Sequence, residues 1–382
     1  MLFYWSVATV IFIAVLALQL VTGARGIACL EDLPLPEFQE SWPTVSLIVP
    51  ARNEQRDIEE ALRSLLKLDY PALEIIVIND RSSDRTGEIL AKLADQFPDL
   101  RVVHVTELPE GWLGKNHALY LGAERAHGEL LLFTDADVVM NPSSLRRAVG
   151  YFLDRQVDHL TMTPILHMPS TLLEAFVVTF TIFFSAYFRP WKVRDPNSNA
   201  HVGIGAFNLI RSSTYRDIGT HEAIRMRPDD DVKLGKLVKL NGKKQDVVNG
   251  RGLLRVRWYH SLSELIEGLM KNAFSGADYR LGLVTFASLF AICFLAGPFV
   301  AVFLTTGLPQ WLFGAAVVLL LLTYVDAARS ISARWWLAPL FPICTLLFVY
   351  IQWRAVYLTY RTGGITWRGT HYSLAELRAN KL

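Results

Sequence analysis

The feature that most limits what this chain can fold into is the segregation of its apolar residues. An uncharged run from Leu2 to Val21 is long enough to cross a bilayer as a helix. Three further runs, Leu281–Thr306, Trp311–Ala328 and Trp335 to about Tyr350, crowd the C-terminal part of the 382 residues. The stretch between, 25 to 280, has ordinary globular composition. Mean hydropathy is +0.27, so the chain reads as a membrane protein with one large extramembrane domain. The first run lacks a basic N-terminal region and a convincing small-residue cleavage site, which makes it an anchor rather than a cleaved leader.

A net charge of only +2 gives no reason to expect nucleic acid as a partner. Three cysteines, two of them inside apolar runs, offer neither a disulfide framework nor metal-ligand spacing. Loop charges suggest orientation: no Lys or Arg precedes the first run and Arg25 follows it. The connection 306–310 is uncharged, whereas Arg329 and Arg334 flank the next one. The large domain is therefore expected on the cytoplasmic side of a cell membrane, of the bacterial inner-membrane type. Four full crossings would leave the basic tail (359–382, with Arg361, Arg368, Arg378 and Lys381) outside. Either the tail breaks the charge rule or one segment is re-entrant, and Pro339 and Pro342 single out the last.

Between the anchor (1–22) and the domain lies a Pro-containing linker (23–43). Strand-like runs then alternate with helical patterns: Val45–Val49, helix 54–66, Glu74–Ile78, helix 84–97, Arg101–Val105, helix 116–126 and Leu130–Phe133. That alternation predicts βαβ units and an open α/β sheet. Ligands of such sheets bind beyond the carboxyl ends of the strands, and polar residues gather there. Strand one runs into Pro50-Ala51-Arg52-Asn53-Glu54, strand two into Asn79-Asp80-Arg81-Ser82-Ser83-Asp84, and strand four into Asp135-Ala136-Asp137. Gly114-Lys115-Asn116 opens a helix, where backbone N–H groups favour phosphate. Asn53, Asp84 and Asn116 taken singly read equally well as helix caps. In extended backbone, Asp135 and Asp137 point to one side and suit a hard divalent cation that shares its shell with phosphate oxygens.

These segments resemble those of the inverting family 2 glycosyltransferases, whose catalytic domains have the GT-A fold; the resemblance covers roughly 44–270. It implies a domain at 44–260, with a nucleotide-sugar half (44–140) and an acceptor half (141–260). In that register Pro50, Arg52, Asn53 and Glu54 belong to the donor site, and Asp80 matches the acid that bonds the nucleotide base. Asn79 and Arg81 stand where Asp and Gly are usual. Gly114-Lys115-Asn116-His117-Ala118-Leu119 matches the segment whose lysine lies near the nucleotide. Asp135 then faces sugar or ribose, and Asp137 holds Mg2+ or Mn2+. Asp229-Asp230-Asp231-Val232-Lys233-Leu234-Gly235 resembles the Glu-Asp-x-x-Leu-Gly segment, which makes Asp231 the general base and Asp230 its acidic neighbour. Gly205 falls in the small-residue stretch near the acceptor. Arg257-Trp258 resembles the end of Gln-x-x-Arg-Trp, although Leu254 replaces the glutamine.

The expected reaction moves a sugar from a nucleotide diphosphate donor, by resemblance a UDP-sugar, with inversion. An apolar stretch at 171–188 and an amphipathic one at 262–274 (within 261–280) read as interfacial helices, because a crossing at 171–188 would cut the domain in two. They favour a lipid acceptor. A polysaccharide synthase of the same fold is the alternative within enzymes; an inactive membrane scaffold is the alternative outside them.

Overall fold

The computed structural model describes residues 1–38 and 42–380. Of the expected linker, 39–41 lie outside the described residues, as do 381–382 of the tail, Lys381 included. The chain opens on α1 (Leu2–Arg25). Then follow β1 (Val45–Ala51), α2 (Ile58–Leu65), β2 (Leu73–Asp80), α3 (Thr86–Gln96), β3 (Leu100–Val105), α4 (Gly114–Glu124) and β4 (Leu130–Phe133). Next come β5 (Val138–Met140), α5 (Ser144–Asp154), β6 (His159–Thr163), β7 (Ile165–His167) and α6 (Thr171–Phe188). The chain returns through β8 (Asn208–Arg211), α7 (Ser212–Asp217), α8 (Asp230–Leu240), β9 (Gln245–Asn249) and β10 (Leu254–Arg257). It ends with α9 (Leu262–Ser275), α10 (Leu281–Phe290), α11 (Gly297–Leu304), α12 (Leu308–Ser330), α13 (Phe341–Thr362), β11 (Gly364–Trp367), β12 (Thr370–Ser373) and α14 (Leu374–Ala379).

Two compact units result: Ile27–Ile165 with Pro190–Arg257 and Ala379–Leu382, and Met1–Gly26 with Leu166–Arg189 and Trp258–Arg378. The first is built on a seven-stranded sheet of order β3-β2-β1-β4-β8-β6-β9. Its pairs are parallel except those of β8, which runs antiparallel to both β4 and β6. The inner strands read as near-continuous Val, Ile and Leu because helices cover both faces. Leu47, Ile48, Ile76, Ile78, Leu131 and Leu132 are accordingly buried. Pro50 is tolerated in an inner strand because β1 pairs with β4 only as far as Ile48↔Phe133, so its missing N–H lies past that ladder.

The reversal of β8 matters most for function. A parallel strand delivers the residues that follow it to the carboxyl edge; an antiparallel one delivers those that precede it. Gly203 to Phe207 thus arrive beside the end of β4. There Asp135 N–H donates to Gly205 O (3.0 Å) and Thr134 Oγ1 to Ala206 O (2.8 Å).

The second unit is helical. Among the described residues five segments are long and apolar enough to cross a membrane: Leu2–Arg25, Thr171–Lys192, Leu281–Leu304, Leu308–Ser330 and Trp335–Thr362. The stretch expected as an interfacial helix within the α/β domain, now α6, groups with these helices instead. Within the unit Trp5 packs on Phe313 (4.8 Å between ring centres) and Phe12 on Phe290 (4.8 Å). Glu174 of α6 pairs with Arg334 (Nε–Oε2 2.7 Å). A π-helical turn, Ala291–Ala296, joins α10 to α11 just before Gly297-Pro298, where the proline cannot supply its N–H to a regular helix.

Candidate active site

Loops after β1, β2 and β4, the segment before β8, and the N-termini of α4 and α8 share one edge of the sheet. The β1 and β2 loops are laced to each other. Asn53 N–H donates to Ser82 Oγ (3.1 Å), Ser83 N–H to Asn53 Oδ1 (2.8 Å), and Glu54 N–H to Thr86 Oγ1 (2.8 Å). Asn53 and Arg81 both take left-handed backbone, at φ 57° and 53°. Glycine would adopt that conformation without strain; the lacing holds two larger residues in it instead. Asp84 accepts from Thr86 N–H (2.9 Å) and Gln55 N–H (3.2 Å). These bonds outweigh its desolvation and hold its carboxyl below the usual range. Asn53 and Asp84 thus brace loops.

Asp80 is buried at the end of β2 and accepts two hydrogen bonds from Arg81 (2.7 and 3.0 Å), with Arg52 at 3.6 Å. Gly114, the first residue of α4, lies so near that a methyl group there would come within 2.5 Å of Asp80 Oδ2 and 2.7 Å of an Arg81 guanidinium nitrogen. Asn116 does not face the edge. Its buried amide donates to Ile224 O (2.7 Å) and Arg227 O (2.9 Å).

Lys115, one residue earlier, lies 2.8 Å from Asp135 and 3.4 Å from Asp230. Burial opposes its charge, but Asp135, Asp230 and Asp231 outweigh it and raise its pKa. Asp231 lies in the first turn of α8, whose N-terminus favours an anion. One of its carboxylate oxygens accepts from Gly205 N–H (2.8 Å), the other from Val232 N–H (2.8 Å). Burial still raises its pKa against the pull of Lys115 and these two donors, and Asp135 adds to the rise. Gly203 packs directly on the Asp231 carbonyl, leaving no room for a side chain. A small cavity is lined by Lys115, Asp135, Gly205, Asn208, His221 and Asp231, among others.

The carboxyl of Asp137 is pushed up to about 7, first by burial, then by Asp135, Glu54 and Asp57. A divalent cation would relieve that crowding. Among the described residues no group of three or more His, Cys, Asp or Glu converges on a metal position. Asp135 and Asp137 therefore fit an ion that completes its shell with phosphate oxygens, not one caged by protein.

Not every expected residue joins this edge. Arg257 ends β10, near Asp57 (3.8 Å) and Glu60 (3.7 Å). Trp258 opens the helical unit and packs on Phe180 (5.0 Å). Conversely, sequence reasoning passed over Asp57, His221 and a buried network behind Gly205. In that network His159 contacts Asn208 (3.1 Å) and Gln245 (2.8 Å), while Asn208 Oδ1 and Gln245 Oε1 accept from the N–H groups of Ile204 and Val202. The one local signal was polar residues at inward positions of otherwise apolar strands.

A parallel-dominated sheet with acids from three loops and a lysine on its carboxyl edge is the arrangement of a GT-A fold. The sequence model of glycosyl transferase family 2 matches residues 46–219. It is similar to 4,4'-diaponeurosporenoate glycosyltransferases of Staphylococcus haemolyticus (27% identity, 63% of each chain covered) and Staphylococcus aureus USA300 (23%, 87% of this chain and 89% of the relative). The chain thus spans 63% of the first relative's length. A mannosyltransferase from Pyrobaculum calidifontis, solved with GDP-Man and Mn2+, shares the fold (TM-score 0.55, 18% identity, 94% of this chain and 98% of that one).

Proposed function

We propose that this chain transfers a sugar, with inversion, from a nucleotide diphosphate sugar (a UDP-sugar on the sequence resemblance) to a hydroxyl group of a lipid at the membrane surface. The observation that carries the reading is Asp231. It is a carboxylate of raised pKa, held by the Gly205 N–H and facing the same cavity as Lys115 and Asp135. In this role it takes the acceptor's proton as oxygen attacks the anomeric carbon opposite the departing diphosphate. Asp230 keeps Lys115 charged beside the leaving group, and Asp80, steadied by Arg81 and Arg52, receives the base of the nucleotide. Asp135 and Asp137 would hold Mg2+ or Mn2+, which supplies positive charge to the diphosphate. A lipid-type acceptor is supported by the relatives named for diaponeurosporenoate and by the apolar helices.

Chain path bears on localisation. β6 and β8 pair although α6 lies between them, so α6 enters and leaves on one side. Asn380 bonds to Ala223 and Met226 of the sheet unit, so the tail ends on the side where the sheet lies. An even number of crossings must then separate β10 from Asn380, although three segments there are long enough to cross. In the proposed path two cross, and the last, whose prolines stand at its start, returns to the side it left. The loop charges favour the cytoplasm as the side that the catalytic unit and the tail share.

The test uses the full chain in nanodiscs with Mn2+, bacterial lipid extract and a panel of UDP- and GDP-sugars. Release of nucleoside diphosphate with a hexose-shifted lipid in the mass spectrum is expected. No transfer from any donor would overturn the reading.

A further inference from the structure

Asn380 lies against the loop that sets Lys115. Residues 223–227 precede α8, and their carbonyls hold the start of α4. Leu113 N–H donates to Arg225 O (2.9 Å), and Asn116 Nδ2 donates to Ile224 O (2.7 Å) and Arg227 O (2.9 Å). Lys115 sits between those two anchor points. At the other end of the loop, Arg227 donates to Asp229 (3.2 Å), and Asp230 and Asp231 follow at once. One short loop therefore holds the start of α4 around the lysine and leads into two of the three acids that raise its pKa.

That loop is not held by local structure alone. It follows Gly219 and Thr220, both in left-handed backbone (φ 89° and 57°), and contains only a short 3-10 turn. The Asn380 side chain closes it on both sides. Met226 N–H donates to Asn380 Oδ1 (3.1 Å), and Asn380 Nδ2 donates to Ala223 O (3.0 Å). A side-chain amide that accepts from one backbone group and donates to another three residues away fixes the spacing of that loop.

The approach to Asn380 is itself built. Arg368 (φ 48°) and Gly369 (φ 81°) make the two-residue turn between β11 and β12. Ser373 and Glu376 then form a reciprocal capping box: Glu376 N–H donates to Ser373 Oγ (3.2 Å) and Ser373 N–H to Glu376 Oε2 (2.9 Å). Leu377 of α14 is fully buried.

We propose that Asn380 is a positioning residue for the donor site: it sets loop 223–227 and, through Leu113 and Asn116, the place of Lys115. The inference rests on the donor reading of the site. The experiment compares Asn380→Ala and Asn380→Asp with the parent, as full chains in nanodiscs. Affinity for UDP and GDP with Mn2+, thermal midpoint, and hydrogen exchange at the Leu113 and Met226 amides are measured. Asn380→Ala should weaken nucleotide binding about fivefold, speed both amides and leave the midpoint in place. Asn380→Asp, which keeps the acceptor half, should fall between. Unchanged exchange at both amides overturns the proposal, as does unchanged affinity where the parent binds nucleotide. If the parent binds neither nucleotide the donor reading fails, and exchange alone decides the role of Asn380: faster amides support it and unchanged ones refute it.

Discussion

Asp231 and Asp137 are both carboxylates held above the ordinary range, first by burial in each case, but their neighbours differ. Around Asp137 the carboxylates of Asp135, Glu54 and Asp57 add to the rise. Asp231 is opposed chiefly by burial while Lys115 and two N–H donors favour its charge, as suits a base that must pick up a proton and release it again. Asp231→Asn should therefore lower the transfer rate by roughly 10²–10⁴-fold while leaving Mn2+-dependent nucleotide affinity nearly unchanged; full turnover in that variant would remove Asp231 from the mechanism. The parent's rate should rise with pH through an acidic limb above the usual carboxylate range, because the deprotonated form is the active one. A limb at the unperturbed aspartate value would contradict the raised pKa.

At the scale of elements, the start of α4 lies hard against the end of β2. Gly114→Ala places a methyl 2.5 Å from Asp80 Oδ2, so the helix or the carboxylate must move. Nucleotide affinity should drop about tenfold, by analogy with the cost of overpacking a close contact. Gly87→Ala in α3, whose methyl would come no nearer than 3.4 Å to Asn79 Nδ2, should leave it unaltered. Equal affinities in the two variants would mean that the approach at Gly114 is dispensable. This edge was legible in the sequence because the change from Val, Ile and Leu to Asp, Asn and Gly marks a strand's end, and parallel strands put such ends together. The partner of β4 was not legible. β8 is a strand of only four residues, Asn208–Arg211, and its reversed direction follows from a long-range pairing that its own composition does not announce. The same holds for the link from Asn380 to Ala223, which joins residues 157 positions apart. α6 was misplaced in the α/β domain because its sequence neighbours lie there while its apolar surface packs with the helical unit, for example Phe183 on Phe348 (5.2 Å).

For the whole molecule, two buried histidines tie stability to pH. Burial lowers His159 to about 4, and burial with the Lys115 charge lowers His221 to about 3. Unfolded, both would titrate near the ordinary value of about 6.5. Below that pH the unfolded chain binds protons that the folded chain refuses, so acid destabilises. The contribution is fully present above pH about 6.5 and falls by about 1.4 kcal/mol per pH unit for each histidine until its folded pKa is reached. The denaturant midpoint of His221→Asn should lose about one proton's worth of slope between pH 6.5 and 4.5; a parent-like slope would show that His221 is protonated when folded.

The path of the chain makes a sharper whole-molecule prediction. If α6 and the last apolar segment both return to the side they left, then the catalytic surface and the β11–β12 turn share a compartment, and the α11–α12 connection faces the other. Lys67, Arg368 and Thr306 are exposed reporters of these three places. In a background with Cys29, Cys293 and Cys344 replaced by alanine, Lys67→Cys and Arg368→Cys should resist an impermeant maleimide in intact cells and react after permeabilisation. Thr306→Cys should react in intact cells. Labelling of Arg368→Cys together with Thr306→Cys would mean that the last segment crosses completely. Asn380 could then not reach Ala223, and both the re-entrant path and the positioning role of the tail would fall together.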